Sequence, residues 1–171
     1  MPYSYPGAGR HVYPGFLQLA GFMTMNLGNH LVSHWEMFKH LVQGDGESAD
    51  ATKEFYEEYR SVCDMTAEFY LQTVDAVFQR HLLPKGELTH RGRRVDPAAI
   101  RDVALLAIEG ERDDISGVGQ TKAALTISGG LPAKMKRYHL AKGVGHYGIF
   151  NGSKWRTRIA PVVEEWIARH N

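Results

Sequence analysis

Only one cysteine, Cys63, occurs in the 171 residues. That excludes an internal disulfide framework and fits a reducing compartment. No apolar run approaches the roughly 20 residues that span a bilayer. Residues 1–15 place prolines and tyrosines where a secretory leader needs a continuous apolar core, so the chain reads as cytosolic. An excess of one charge sign is also lacking. Lys and Arg total 20 against 19 Asp and Glu, a net charge of +1, which gives no electrostatic case for nucleic acid. Internal repeats and low-complexity tracts are absent. So is the nucleophile elbow G-x-S-x-G, since Ser116 follows Asp114 and Ile115, and Ser128 follows Thr126 and Ile127. Cys63 falls inside an expected helix without flanking glycines, where it reads as a core cysteine and not as an activated thiol.

What is there is the material of a soluble globular domain, with 43% hydrophobic and 23% charged residues. The expected class is α/β. Residues 103–108 form a short uncharged apolar run, too short for a typical helix and suited to a strand buried on both faces. Residues 136–140 read as a second strand. Before them, residues 1–15 form an extended connector. The spacing of Phe16, Leu19, Met23, Leu27, Leu31, Trp35, Phe38 and Val42 predicts an amphipathic helix over 16–42, broken near 26–29. Ser48 is the expected N-cap of a long second helix running to Pro84. Such a helix would be about 50 Å long, so a kink or a protruding helical hairpin is expected. Residues 87–95, with Arg91-Gly92 at the middle, suit a small hairpin, and Asp96 caps a single turn starting at Pro97. A short helix over 119–128 stops at Gly129-Gly130. A terminal helix capped by Ser153 carries Pro161, which should kink it. Charge is uneven: residues 47–75 are acid-rich and 85–101 basic, read as a solvated helix face and a basic loop.

Two residues stand out for chemistry. After the first strand comes Gly110, then Glu111, Arg112, Asp113 and Asp114, so a carboxylate pair sits past a strand end, where open α/β sheets build sites. Asp113 is favoured and Asp114 is the alternative; both would also serve as simple caps of the following turn. After the second strand, Gly143, Val144, Gly145 and His146 form a glycine-flanked turn presenting one imidazole, a base suited to neutral pH if a carboxylate fixes its tautomer. The order strand, acid, helix, strand, histidine, helix is the second half of a nucleophile, acid, histidine relay. His30 and His34, one turn apart with Glu36 and His40 nearby, offer metal-ligand types. They lack the H-E-x-x-H pattern or a cysteine pair, so no metal site is expected.

At these residues the chain resembles the C-terminal half of the intracellular polyhydroxyalkanoate (polyhydroxybutyrate) depolymerases. The motifs are VYPGFLQLAGFM at 12–23, HLVQGDGESA at 40–49, EFYLQTVDAVFQRHLLPKGELTHRGRRVDPAAI at 68–100, EGERDDISGVGQT at 109–121 and GVGHYGIFNGSKWR at 143–156. The resemblance implies a partial α/β-hydrolase fold, with its late strands and terminal helices at 97–171 and a large helical lid at 16–96. It implies Asp113 as relay acid and His146 as relay base, acting without a cofactor on a polyester of 3-hydroxyacids, at polyhydroxyalkanoate granules. The family's preceding half, with its oxyanion hole and serine or cysteine nucleophile, has no counterpart before Met1. The chain is therefore expected to be inactive by itself, with the missing half, or further copies of itself, as partners. Two other readings are a polyester-synthase-like acyltransferase fragment, marked by consumption of acyl thioesters, and a non-catalytic granule-binding protein, marked by co-sedimentation with granules without release of hydroxyacid.

Overall fold

The computed structural model describes residues 3, 4 and 6–171. The expected connector thus lies partly outside the described residues, at Met1, Pro2 and Tyr5. The chain divides into two compact units, one ending at His81 and the other beginning at Leu82. Helices and small two-stranded sheets are mixed along it, compatible with an α/β class. No helix among the described residues is long and apolar enough to cross a membrane.

In the first unit, β1 (Val12–Tyr13) leads into α1 (Gly15–Met25) and α2 (Leu27–Val42), then α3 (Gly46–Tyr59), β2 (Met65–Thr66) and α4 (Ala67–Thr73), which continues as a π-helix over Val74–Gln79. The break expected at 26–29 falls at Asn26, whose backbone leaves the helical region. A second break was not expected. The long helix read from 48 to Pro84 is interrupted by residues 60–66, because Met65–Thr66 pairs antiparallel with Val12–Tyr13 and Asp64 accepts the Gly15 N–H at 2.8 Å. These long-range bonds outcompete a helical continuation that periodicity alone favours. A side chain at Gly15 would collide with the Val62 carbonyl, so the close approach requires glycine. The interruption also carries Cys63, which is exposed in a loop and is not the core cysteine expected. The cap of α3 is Asp45, which accepts the Ser48 N–H at 3.1 Å; Ser48 itself lies inside the helix. Tyr56 is buried, its hydroxyl 3.0 Å from His30 Nδ1 and its ring 4.2 Å from that of His34. The histidine face is thus committed to packing α2 on α3.

The second unit opens with α5 (Leu82–Lys85) and a hairpin of β3 (Thr89–His90) and β4 (Arg93–Arg94). Its turn residues Arg91 and Gly92 both take positive φ, as tight two-residue hairpin turns require. Asp96 caps the next turn through the Ala98 N–H. Then come β5 (Leu105–Gly110), α6 (Ala123–Ile127), β6 (Lys136–Ala141), α7 (Gly152–Lys154), a π-helical segment (Trp155–Ile159) and α8 (Ala160–His170). β5 and β6 are parallel, with Leu105 opposite Lys136 and Gly110 opposite Ala141. The strand starts two residues later than expected, and Val103 is exposed. The helix expected over 119–128 contracts to α6. The terminal helix begins at Gly152, not behind a Ser153 cap, and the irregularity expected of Pro161 takes the form of the π-helical segment before it. A proline ring at 161 presses on the carbonyl four residues back and brings no N–H. The helix widens instead, with Ala160 N–H reaching Trp155 O. The core of this unit is Ala141, Val144, Ile149 and Ile159, with Ile108, Trp155 and Val163 packed against it.

Candidate active site

Strand β5 ends at Gly110, where a methyl group would lie 2.6 Å from the Val144 carbonyl oxygen. Only glycine lets the two turns beyond the sheet come together. The backbone then zips them: Glu111 N–H bonds Ala141 O at 3.1 Å and Arg112 N–H bonds Val144 O at 2.9 Å. Side chains add a clamp, as Glu111 accepts the Gly143 N–H at 2.8 Å and Lys154 Nζ donates to Gly143 O at 2.7 Å. The residues following β5 and those following β6 are in this way held side by side.

Asp113 and His146 meet there. His146 Nδ1 donates to Asp113, 2.9 Å from Oδ2 and 3.1 Å from Oδ1. The Asp113 side chain is 2% exposed and that of His146 is 32% exposed, so the acid is enclosed while the imidazole reaches the surface. Asp113 Oδ1 also accepts the N–H groups of Ile115 and Ser116 at 2.9 and 2.8 Å. Burial alone would raise the Asp113 carboxyl; the Ser116 N–H, His146 and the Ile115 N–H outweigh it and hold it below the ordinary carboxylate range. With Nδ1 carrying the proton toward Asp113, Nε2 is left as the acceptor. That is the tautomer a general base needs. The carboxylate within reach of the imidazole is Asp113, and Asp114 is exposed.

Beside the pair lies an apolar cleft of about 420 Å³, with Leu106, Ile108, Ile149, Phe150 and Trp155 among its walls. His146 meets the ring of Phe150 edge-on at 6.3 Å. No hydroxyl or thiol among the described residues hydrogen-bonds to His146; Ser116, which also lines the cleft, contributes its backbone N–H to Asp113. No group of three or more His, Cys, Asp or Glu side chains among the described residues is placed to hold a metal ion. His34 instead turns its Nδ1 to the His30 carbonyl at 2.8 Å, and His40 to Asp45 at 2.9 Å.

Sequence reasoning missed Glu109, which is 2% exposed on β5. Its Oε2 accepts the Gly119 N–H at 2.8 Å and the Tyr138 hydroxyl at 2.6 Å, and Oε1 accepts the Lys122 N–H at 2.8 Å. Burial would raise this carboxyl, but the Tyr138 hydroxyl and the surrounding backbone N–H groups bring it below its usual range. Tyr138 responds in the opposite sense, pushed up to about 12 chiefly because its proton is held by Glu109. Glu109 thereby pins the far end of the loop whose near end Asp113 folds. A lone charge closing an apolar strand survives burial only when fully hydrogen-bonded, and the donors that satisfy Glu109 lie ten or more residues along the chain, so its neighbours in sequence carried no signal.

Comparison with known families returns a model described as PHB de-polymerase C-terminus, matching residues 1–171. No curated protein and no solved structure gives a significant match.

Proposed function

Since the chain belongs to the PHB de-polymerase C-terminus family over residues 1–171, we propose that it carries the acid and base of a polyhydroxybutyrate-hydrolysing relay. The observation that supports this most is the enclosed Asp113 bonded to the Nδ1 of a half-open His146 at the rim of a parallel strand pair. In this reading residues 97–171 are the late part of an α/β-hydrolase core, and residues 16–96 are its helical lid.

His146 Nε2 takes the proton from a serine hydroxyl or cysteine thiol as that atom attacks an ester carbonyl of the polymer. Asp113 stays ionised, orients the ring and stabilises the imidazolium. His146 then gives the proton to the departing alkoxide, which leaves as the hydroxyl end of one polymer fragment. Water, deprotonated by the same nitrogen, frees the other fragment as an acid and restores the nucleophile. The nucleophile and the donors that hold the oxyanion come from polypeptide outside these 171 residues.

The test is release of 3-hydroxybutyrate from amorphous polymer by these residues together with the nucleophile-bearing part of the enzyme. His146→Ala should abolish release and Asp113→Asn should slow it about 10⁴-fold, the scale of losing a relay member. Undiminished hydrolysis by His146→Ala would refute the assignment. Hydrolysis by the 171 residues unaided would refute the borrowed nucleophile.

A further inference from the structure

The loop that carries Asp113 is poorly held by packing. After Ser116 it runs through Gly117, Val118 and Gly119, and a side chain added at either glycine would meet nothing within 4 Å. Ile115 and Val118 are 44% and 56% exposed, so apolar contact does little to fix the segment. Gly119 takes φ 104°, a conformation open to glycine, and glycine loses more conformational freedom on ordering than any other residue. Hydrogen bonds must offset that cost.

Two carboxylates supply them from opposite ends. Asp113 Oδ1 gathers the Ile115 and Ser116 N–H groups at 2.9 and 2.8 Å. Three residues beyond Ser116, the Gly119 N–H donates to Glu109 Oε2 at 2.8 Å, and the Lys122 N–H donates to Oε1 at 2.8 Å. Glu109 stands on β5 immediately before Gly110, from which the loop departs. The loop therefore leaves the strand and closes back on the residue just before its own point of departure. From β6 the Tyr138 hydroxyl, 2.6 Å from Oε2, fixes the carboxylate in turn. These partners are the loop and a neighbouring strand, whereas His146 Nδ1 is bonded to Asp113. With its far end released, the glycine segment is free to move and to take the Ser116 N–H away from Asp113. The carboxylate then loses the donors that fix its orientation while it holds the imidazole.

We propose that Glu109 is a positioning residue of the relay, fixing the Asp113 carboxylate against His146 through the Gly119 and Lys122 N–H groups. This rests on the reading of Asp113 and His146 as relay acid and base. Positioning differs from simple stabilisation in one respect: it acts only while Asp113 can do its work. Asp113→Asn already holds the imidazole in the wrong tautomer, so displacing that side chain costs nothing further.

The experiment is a double-mutant cycle on hydrolysis of a soluble 3-hydroxybutyrate oligomer by the nucleophile-bearing enzyme, with urea unfolding of each variant. Glu109→Gln keeps the shape but turns one acceptor oxygen into a donor. It should lower kcat about 10²-fold, the scale of a catalytic group misplaced by about 1 Å, with KM unchanged, because the imidazolium develops only in the transition state. In an Asp113→Asn background the same change should alter kcat by less than about twofold. Trp166→Phe, at a buried position on α8 outside the cleft walls, controls for general loss of stability and should leave kcat unchanged. Lys122→Pro removes one loop donor at a φ of −55° that proline adopts. Against Lys122→Ala, which also loses the side chain but keeps the N–H, it should lower kcat about tenfold, the scale of one hydrogen bond to a charged group. Unchanged kcat in a folded Glu109→Gln overturns the proposal. An equal loss with and without Asp113 also overturns it and marks a through-space effect of the charge, as does a loss matched by Trp166→Phe, which marks general loosening. If Glu109→Gln does not fold, equal kcat in Lys122→Pro and Lys122→Ala overturns it. Asp113→Asn hydrolysing at the parent rate refutes the relay itself, and the positioning role with it, before Glu109 is touched.

Discussion

Two carboxylates, Asp113 and Glu109, organise the loop after β5, and both sit where water cannot screen them. Glu109 satisfies two backbone N–H groups and one phenol. Glu109→Ala leaves all three without a partner, and should cost about 2–3 kcal/mol of stability by urea unfolding. Both acids are held below their ordinary range. As pH falls the unfolded chain therefore takes up these protons first, and the unfolded state binds more of them. Their stabilisation is complete above the unfolded values near about 4 and is lost as pH falls through the lower folded values. Urea midpoints measured from pH 7 downward should fall across that window, and less steeply in Glu109→Gln. Tyr138 gives the opposite sign. With its folded value raised to about 12, it contributes stability below the unfolded value near about 10, lost as pH rises toward the folded one. Tyrosinate absorbance should show one late-titrating phenol that moves earlier in Glu109→Gln. At this scale the sequence was informative about Asp113 and His146, because glycine and strand-end position mark them. It was silent on Glu109, because a buried carboxylate is recognisable only once its three donors, two of them backbone groups ten and thirteen residues away, are in place.

Elements were legible in proportion to how local their causes are. The hairpin, the Asp96 cap and the β5 and β6 strands follow from neighbouring residues, and they appear close to where the pattern puts them. The long helix does not, because Asp64 and the Met65–Thr66 pairing with Val12–Tyr13 are contacts that no helical period encodes. Close packing at chain crossings gives the sharpest test of these elements. Gly110→Ala forces a methyl to 2.6 Å from Val144 O, so it should push apart the turns bearing Asp113 and His146, with a loss of about 1–3 kcal/mol in urea unfolding. Arg91 is a non-glycine residue at φ 51, in a turn position that asparagine tolerates better. Arg91→Asn should raise the melting temperature slightly, as followed by calorimetry.

For the molecule as a whole, the sheet beside which Asp113 and His146 meet has two strands, and α2 buries none of its residues. Trp35, Phe38, Leu41 and Val42 are each more than half exposed. A parallel pair with open edges is marginal by itself, so the 171 residues in isolation should self-associate or melt with little cooperativity. Sedimentation velocity with calorimetry checks this, and a monodisperse monomer with a sharp transition would contradict it. The sequence by itself determined the order of strand, acid, strand and histidine, the family, and the helix-forming stripes, because each is written in neighbouring residues and their spacing. Tertiary structure alone decided that Asp113 and not Asp114 meets His146, that Glu109 pins the loop, and that Cys63 is exposed. Each of these depends on distant backbone being brought within hydrogen-bond or van der Waals reach, where burial and geometry act and sequence spacing does not.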